Sequence, residues 1–266
     1  MSRTAPGPEF WDLIRLHTGD LADVRPTPRG FSSDLTALVE SEKGRFFVKA
    51  MANRPGGRRD SIVRERLINP AVQPISPALR WHTENDAWVV LGFEAVEGRT
   101  SDFAPDSPDL PAIVGVIDRI GELGLPPVAH DWPETRWNRF AAHPADVSLF
   151  QGEALLHTDI NPSNLLVGDG NTWAVDWSWP TRGAAFIDPA CLVVQLIAAG
   201  HSVESAESCA SDCAAWARAD PKAIDAFAAA TSRMHRAFAE RRPGVQWLGA
   251  MGEAARSWAA HRGVEG

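Results

Sequence analysis

Leu155-Leu156-His157-Thr158-Asp159-Ile160-Asn161-Pro162-Ser163-Asn164-Leu165-Leu166-Val167 is an apolar run that enters a polar loop and resumes as an apolar run. Asp159 and Asn164 stand five residues apart across that loop, so both side chains can face one cavity. Twelve residues beyond Asn164 a second strand ends in Ala174-Val175-Asp176-Trp177, which brings another carboxylate to the same rim. Two carboxylates and an amide oxygen suit Mg²⁺, a hard cation that takes oxygen ligands and keeps waters or phosphates for the rest of its shell. The same residues also fit a polar β-turn that happens to carry acids.

The upstream half adds two charges in an order that matters. Lys49 lies in the apolar strand Arg45-Phe46-Phe47-Val48-Lys49-Ala50-Met51, where an unpaired ammonium is costly to bury. Glu65 follows sixteen residues later in a helix-like segment. Alone, Lys49 reads equally as an edge-strand lysine facing water, and Glu65 as a solvated helix residue between Arg64 and Arg66. Together, in that order ahead of the Asp159 loop, they no longer fit those two bland readings.

Around these residues the chain changes character once. A short amphipathic helix over Glu9–His17 precedes candidate strands at Val24–Pro28, Phe31–Glu40 and Gly44–Met51, the last two joined by the turn Ser41-Glu42-Lys43-Gly44. A helix is expected over Asp60–Leu67, then strands over Ala78–His82 and Ala87–Ala95. Beyond Glu97-Gly98 helices dominate: Pro111–Leu123, Glu134–Ala142, Asp188–Ala199, Glu204–Arg218, Pro221–Arg241 and Val245–Arg262. Between them Leu155–Trp177 reads as a hairpin turning at Gly168-Asp169-Gly170-Asn171. The expected division is a β-rich part over 1–96 and a helical part over 97–266.

His157-x-Asp159-x4-Asn164 followed by Asp176-Trp177 resembles the catalytic and metal-binding loops of the aminoglycoside phosphotransferase family, small-molecule relatives of the protein kinases. The matching segments run in order from about residue 29 to 190. The resemblance implies an α+β, bilobal, protein-kinase-like fold, with a small antiparallel β-rich N-lobe and a larger helical C-lobe. It implies that Asp159 accepts the proton of an attacking hydroxyl, and that Asn164 and Asp176 hold Mg²⁺ against the phosphates of ATP or GTP. Lys49 and Glu65 take the places of the strand lysine and helix glutamate.

Arg29-Gly30-Phe31-Ser32-Ser33-Asp34 then covers the phosphates through Gly30, Ser32 and Ser33, although it has one glycine where protein kinases have three. Leu91-Gly92-Phe93-Glu94-Ala95-Val96 resembles the hinge. There the Glu94 carbonyl and Val96 N–H would meet the adenine edge, with Phe93 behind it; a buried strand ending in a turn is compatible with the same residues. Ala185-Phe186-Ile187-Asp188-Pro189-Ala190 resembles a G-D-P-A-type segment, with Ile187 where glycine is usual. Asp188 would cap a helix N-terminus, and His157 would anchor loop backbone. The expected activity is transfer of the γ-phosphate to a hydroxyl of a small molecule, either an aminoglycoside-like antibiotic or another hydroxylated metabolite. The alternative is a catalytically silent kinase-fold protein that binds nucleotide. No A-P-E-like segment or long activation loop supports a protein kinase.

Composition bounds the rest. Of 266 residues, 44% are hydrophobic and 23% charged, the balance of a globular protein with a real core. A net charge of −8 argues against a nucleic-acid partner, and no apolar run reaches the ~18 residues that a membrane span needs. The N-terminal MSRTAPGPEFWDL has no apolar signal core, and three cysteines do not make a disulfide framework. A cytoplasmic location is the expectation. Cys209 and Cys213 read as small core residues. The helix acids Glu204, Glu207, Asp212 and Asp225 could meet a polycation or could simply face water. Of eleven tryptophans, Trp177 and Trp179 lie where a ligand could reach them.

Overall fold

Alternation along β3 (Gly44–Ala52) organises the first part of the chain. Phe46, Val48 and Ala50 join one hydrophobic cluster, while Phe47 and Met51 join another on the opposite face. In the computed structural model, which describes residues 6–27, 33–73 and 75–266, β3 is the middle strand of five. Its neighbours are β1 (Leu21–Pro26), β2 (Leu35–Ser41), β4 (Leu79–Glu84) and β5 (Trp88–Glu94), in the order β1-β2-β3-β5-β4 and antiparallel throughout. Ser41 pairs with Gly44, so the β2–β3 turn is two residues long, and Gly44 has φ 122, open to glycine alone at little cost.

Each face of the sheet takes one helix. From α1 (Pro8–Thr18), Phe10 and Ile14, one helical turn apart, pack on Ala37, Val39, Phe46 and Val48. From α2 (Gly57–Val72), Ile62 packs on Met51, Val89, Leu91 and Phe93. Lys49, alternating with Val48 and Ala50, therefore belongs to the α2 face, opposite Leu91 on β5. The strand register also demands one glycine. A Cβ on Gly92 would lie 2.1 Å from Cε2 of Trp81, whose ring lies against it.

The elements of this region match those expected, with shifted ends. β2 begins at Leu35, whereas Phe31 was the expected start, and α2 is longer at both ends, passing through Pro70 before it stops at Val72. By proximity the chain forms two units that do not divide it at one point. The first comprises residues up to Gly98 together with Trp173–Trp179, and the second comprises Arg99–Thr172 and Pro180–Gly266.

In the second unit, β6 (Arg99–Thr100) pairs with β8 (Leu165–Gly168), and β7 (Ala154–Leu156) pairs with β10 (Thr181–Gly183); β9 (Asn171–Ala174) follows β8 in a hairpin. These short ribbons carry the loop that follows β7. The helices are α3 (Leu110–Gly121), α4 (Ile187–Ala198), α5 (Val203–Ser211), α6 (Ala214–Ala217), α7 (Pro221–Arg241) and α8 (Gln246–His261). α5 starts at Ser202, whose hydroxyl accepts from Ser205 N, and α7 at Asp220, whose carboxylate accepts from Lys222 N. Phe227 on α7 collects the rings of Trp137, Phe150 and Phe186, with centroids 4.8–5.7 Å away.

Two helix expectations need correction. Glu134–Ala142 is not an α-helix: Pro133 bridges Arg182 of β10, and only Asn138–Phe140 makes a 3₁₀ turn. Glu204–Arg218 is two helices, broken near Asp212, where the Ala214 N–H turns to Asp118 Oδ1. All three cysteines are free; Cys213 is buried and Cys209 half-buried. No helix among the described residues is long and apolar enough to cross a membrane.

Candidate active site

In the first unit the α2 face of β3 carries a buried ion cluster. Lys49 Nζ lies 2.6 Å from Glu65 Oε2, 2.7 Å from Asp176 Oδ1 and 3.0 Å from Ser178 Oγ, with the lysine side chain only 2% exposed. The Ser178 hydroxyl also bonds Asp176 Oδ1 and reaches Glu65 Oε2 at 3.5 Å. An ammonium buried this deeply is tolerated because all three of its protons find oxygen. Burial works against the charge of Lys49, but the two carboxylates outweigh it and hold the amine protonated. Burial pushes the Glu65 carboxyl up to about 7, opposed by Lys49. One ammonium is thus shared between two carboxyl groups. Asp176 keeps 21% exposure and a left-handed backbone, φ 62, uncommon for a residue with a side chain.

Around this cluster, Phe93 is buried on the α2 face of β5. Glu94 donates its backbone N–H to Ala78 O at 2.8 Å and sends its carboxylate to Arg80. Val96 is half-buried. Gly30 and Ser32 lie outside the described residues. Ser33 is buried, and its hydroxyl has no hydrogen-bond partner among them. Asp34 fastens the adjoining chain by accepting from Ala52 N at 2.9 Å and from Arg58 at 2.7 Å. Trp177 is buried and donates to Ala174 O, whereas Trp179 is 45% exposed beneath the Arg64 guanidinium.

In the second unit the loop after β7 is held from behind. Asp188, in the first turn of α4, accepts the His157 N–H at 2.8 Å and the Thr158 N–H at 2.7 Å. This corrects the expected helix cap, because the carboxylate serves the loop. Burial raises the Asp188 pKa, with the nearby His157 ring and the two N–H groups opposing it. Thr158 takes φ 63, a rare backbone for a β-branched residue. The next residue, Asp159, gives its N–H to His157 Nδ1 at 3.2 Å and presents an exposed carboxylate. Asn164 Nδ2 donates to Asp159 Oδ2 and to Asp159 O, both at 2.9 Å, and Asn161 Nδ2 reaches Asp159 Oδ1 at 3.1 Å. With its NH₂ turned to Asp159, Asn164 directs its amide oxygen away from that carboxylate.

Sequence reading missed three participants. Ser178 stands two residues beyond Asp176, in Asp176-Trp177-Ser178. Glu134 and Arg136 were assigned to a helix, where residues two apart do not face each other. The extended backbone instead lets Arg136 fork onto Glu134, Nε at 3.1 Å from both carboxylate oxygens and Nη2 at 2.6 Å from Oε2. Glu134, 1% exposed, also accepts from the Arg136 N–H and from Thr181 Oγ1. The acids considered for a polycation are largely committed. Glu207 accepts from Trp258 Nε1 and Arg262, Asp225 from Arg262, and Glu204 sits 3.4 Å from His261.

Oxygen donors dominate both clusters, a donor set that suits magnesium and not a softer metal. Among the described residues no group of three His, Cys, Asp or Glu side chains forms a ready metal cage. An ion completed by phosphates and water needs none.

No family model matches the sequence, and a search of curated proteins found no match. Solved structures do match, over nearly the whole chain. A choline kinase from Streptococcus pneumoniae superposes with TM-score 0.64 at 12% identity, covering 95% of this chain and 98% of that one. A microcompartment-associated aminopropanol kinase gives 0.61 at 13%, covering 96% of each. A thermostable mutant of an aminoglycoside phosphotransferase, in a ternary complex with ADP and hygromycin B, gives 0.59 at 14%, covering 93% of this chain and 98% of that one. The chain has the protein-kinase-like fold of these small-molecule phosphotransferases.

Proposed function

We propose that this chain, sharing its fold with kinases of small molecules, is a phosphotransferase that moves the γ-phosphate of ATP or GTP onto a hydroxyl of a small acceptor. The observation that carries the reading is Lys49, an ammonium buried on the sheet and held by both Glu65 and Asp176. Asp159 supports it, standing exposed on a loop that Asp188, Asn161 and Asn164 hold in place.

In this reading Asp159 orients the acceptor hydroxyl and takes its proton as the oxygen attacks. A bond forms from that oxygen to the γ-phosphorus, the bond from the γ-phosphorus to the β,γ-bridging oxygen breaks, and the nucleoside diphosphate leaves. Lys49 neutralises phosphate charge, and Glu65 with Ser178 fixes its ammonium. Asn164 and Asp176 are the oxygen donors assigned to Mg²⁺, which when bound offsets charge on the phosphates. Ser33, with Gly30 and Ser32, covers the phosphates; Phe93, Glu94 and Val96 take the base. Little covalent chemistry is left to the protein, and the rate comes from positioning and electrostatics. A cytoplasmic, nucleic-acid-free enzyme fits the acidic composition.

The test is Mg²⁺-dependent nucleotide consumption over a panel of hydroxylated acceptors, with Asp159→Asn as control. Acceptor-dependent turnover that disappears in the control supports the proposal. Nucleotide binding with no turnover on any acceptor favours the catalytically silent alternative.

A further inference from the structure

Arg136 has a side chain that the mechanism above does not use, in a place where it would matter. Its anchor is unusual, because Glu134 is buried to 1% exposure yet spends its carboxylate on Arg136 and Thr181. Thr181 sits opposite Leu156 on the β7–β10 ribbon, and Leu156 is three residues before Asp159. Arg136 is thereby held beside the loop, within electrostatic reach of both Asp159 and Asp188. The guanidinium also lies over the Trp137 ring at 5.0 Å. Nε and Nη2 are taken by Glu134, while Nη1 has no hydrogen-bond partner among the described residues, and the side chain is 42% exposed.

A guanidinium locked by a bidentate carboxylate cannot swing away, so its remaining edge is a preformed donor for an anion. Three of the four helix acids considered for a polycationic acceptor meanwhile sit beside Arg262 or His261. Glu207 and Asp225 share the one charge of Arg262, and Glu204 stands beside His261. Resting on the kinase reading for its chemistry, we infer that Arg136 binds an anionic group of the acceptor, so that the substrate is a hydroxylated carboxylate or phosphate ester and not a polycation.

The experiment has two arms on the full chain. In the first, binding of glycerate, a small molecule with both hydroxyl and carboxylate, is followed by calorimetry in wild type, Arg136→Gln and Arg136→Lys. In the second, turnover is compared over anionic acceptors (hydroxy acids, sugar phosphates), neutral sugars and cationic acceptors (amino alcohols, aminoglycosides). The expected result is saturable glycerate binding, lost in Arg136→Gln and partly kept in Arg136→Lys; because Arg136→Gln strands the buried Glu134 and melts lower, binding is read below both melting temperatures. Turnover should be confined to anionic acceptors, with KM raised about tenfold or more in Arg136→Gln while kcat changes less. Glycerate binding that depends on Arg136, with no turnover on any acceptor, supports the anion site and defeats the kinase reading. Turnover on cationic acceptors that Arg136→Gln leaves unaltered, or no Arg136-dependent binding, overturns the inference while the kinase reading stands.

Discussion

Asp188 Oδ1 accepts the backbone N–H of Thr158 at 2.7 Å, and Thr158 is one of three described non-glycine residues with a left-handed backbone. The carboxylate therefore stabilises a conformation that the threonine would avoid alone, in the residue just before Asp159. Asp188→Asn turns one acceptor into a donor facing an N–H group. A loss of about 2–4 kcal/mol is expected in urea unfolding, with turnover falling at least tenfold as the loop relaxes. An unfolding midpoint and turnover equal to wild type would show that the loop holds itself.

Removing Lys49 leaves Glu65 and Asp176 facing each other without a cation. Lys49→Met should cost about 3–5 kcal/mol and abolish turnover. Adding Glu65→Leu removes one stranded carboxylate, so the double variant should regain part of the stability and none of the activity. Strict additivity of the two stability changes would argue against their coupling in the folded protein.

Acid should weaken the fold through His235 on α7. Its Nδ1 has no partner among the described residues, and burial lowers its pKa to about 4 from 6.5. Below pH 6.5 the unfolded chain takes up a proton that the folded one refuses until near pH 4. Stability from this group is thus complete above pH 6.5 and falls as pH drops through that window, by on the order of 3 kcal/mol. His235→Phe should flatten that part of the pH–stability curve; a parallel curve would assign the acid loss to other groups.

Gly92 has no room for a methyl group against Trp81. Gly92→Ala should lower stability by about 3 kcal/mol through forced displacement of the indole or of β5. Gly92→Ala with Trp81→Val should recover a good part of it. Thermal melts of the two variants and wild type decide the matter.

Much of this architecture is written in local pattern. The β3 alternation and the heptad-like spacing of Phe10 and Ile14 report the sheet and its first helix, because burial imposes periods of two and of about 3.6. Lys49 was legible through cost, since a charge in an apolar strand needs a partner, and Glu65 through its place sixteen residues on, where kinases carry the helix glutamate. What pattern could not supply was the third partner, Ser178, whose small hydroxyl carries no period. It also misread Glu134–Ala142, where aromatic and charged residues happen to fall at helical spacing. There the backbone is claimed by Arg182 of β10, a long-range pairing that outweighs local preference. The role of Asp188 was hidden for the same reason, because its partners are 30 and 31 residues away.

The return of Trp173–Trp179 to the first unit sets an order of events during synthesis. Lys49 and Asp176 are 127 residues apart. At roughly 5–20 residues per second, a ribosome takes on the order of ten seconds to make the stretch between them. Through that interval the nascent β-sheet carries a buried lysine with half its counter-charge, and nearly half of the second unit must emerge before the missing acid arrives. The first unit is thus early in sequence but late in completion. A ribosome stalled before Asp176 should expose a sheet that proteases cut, and one stalled beyond Trp179 a sheet that they spare.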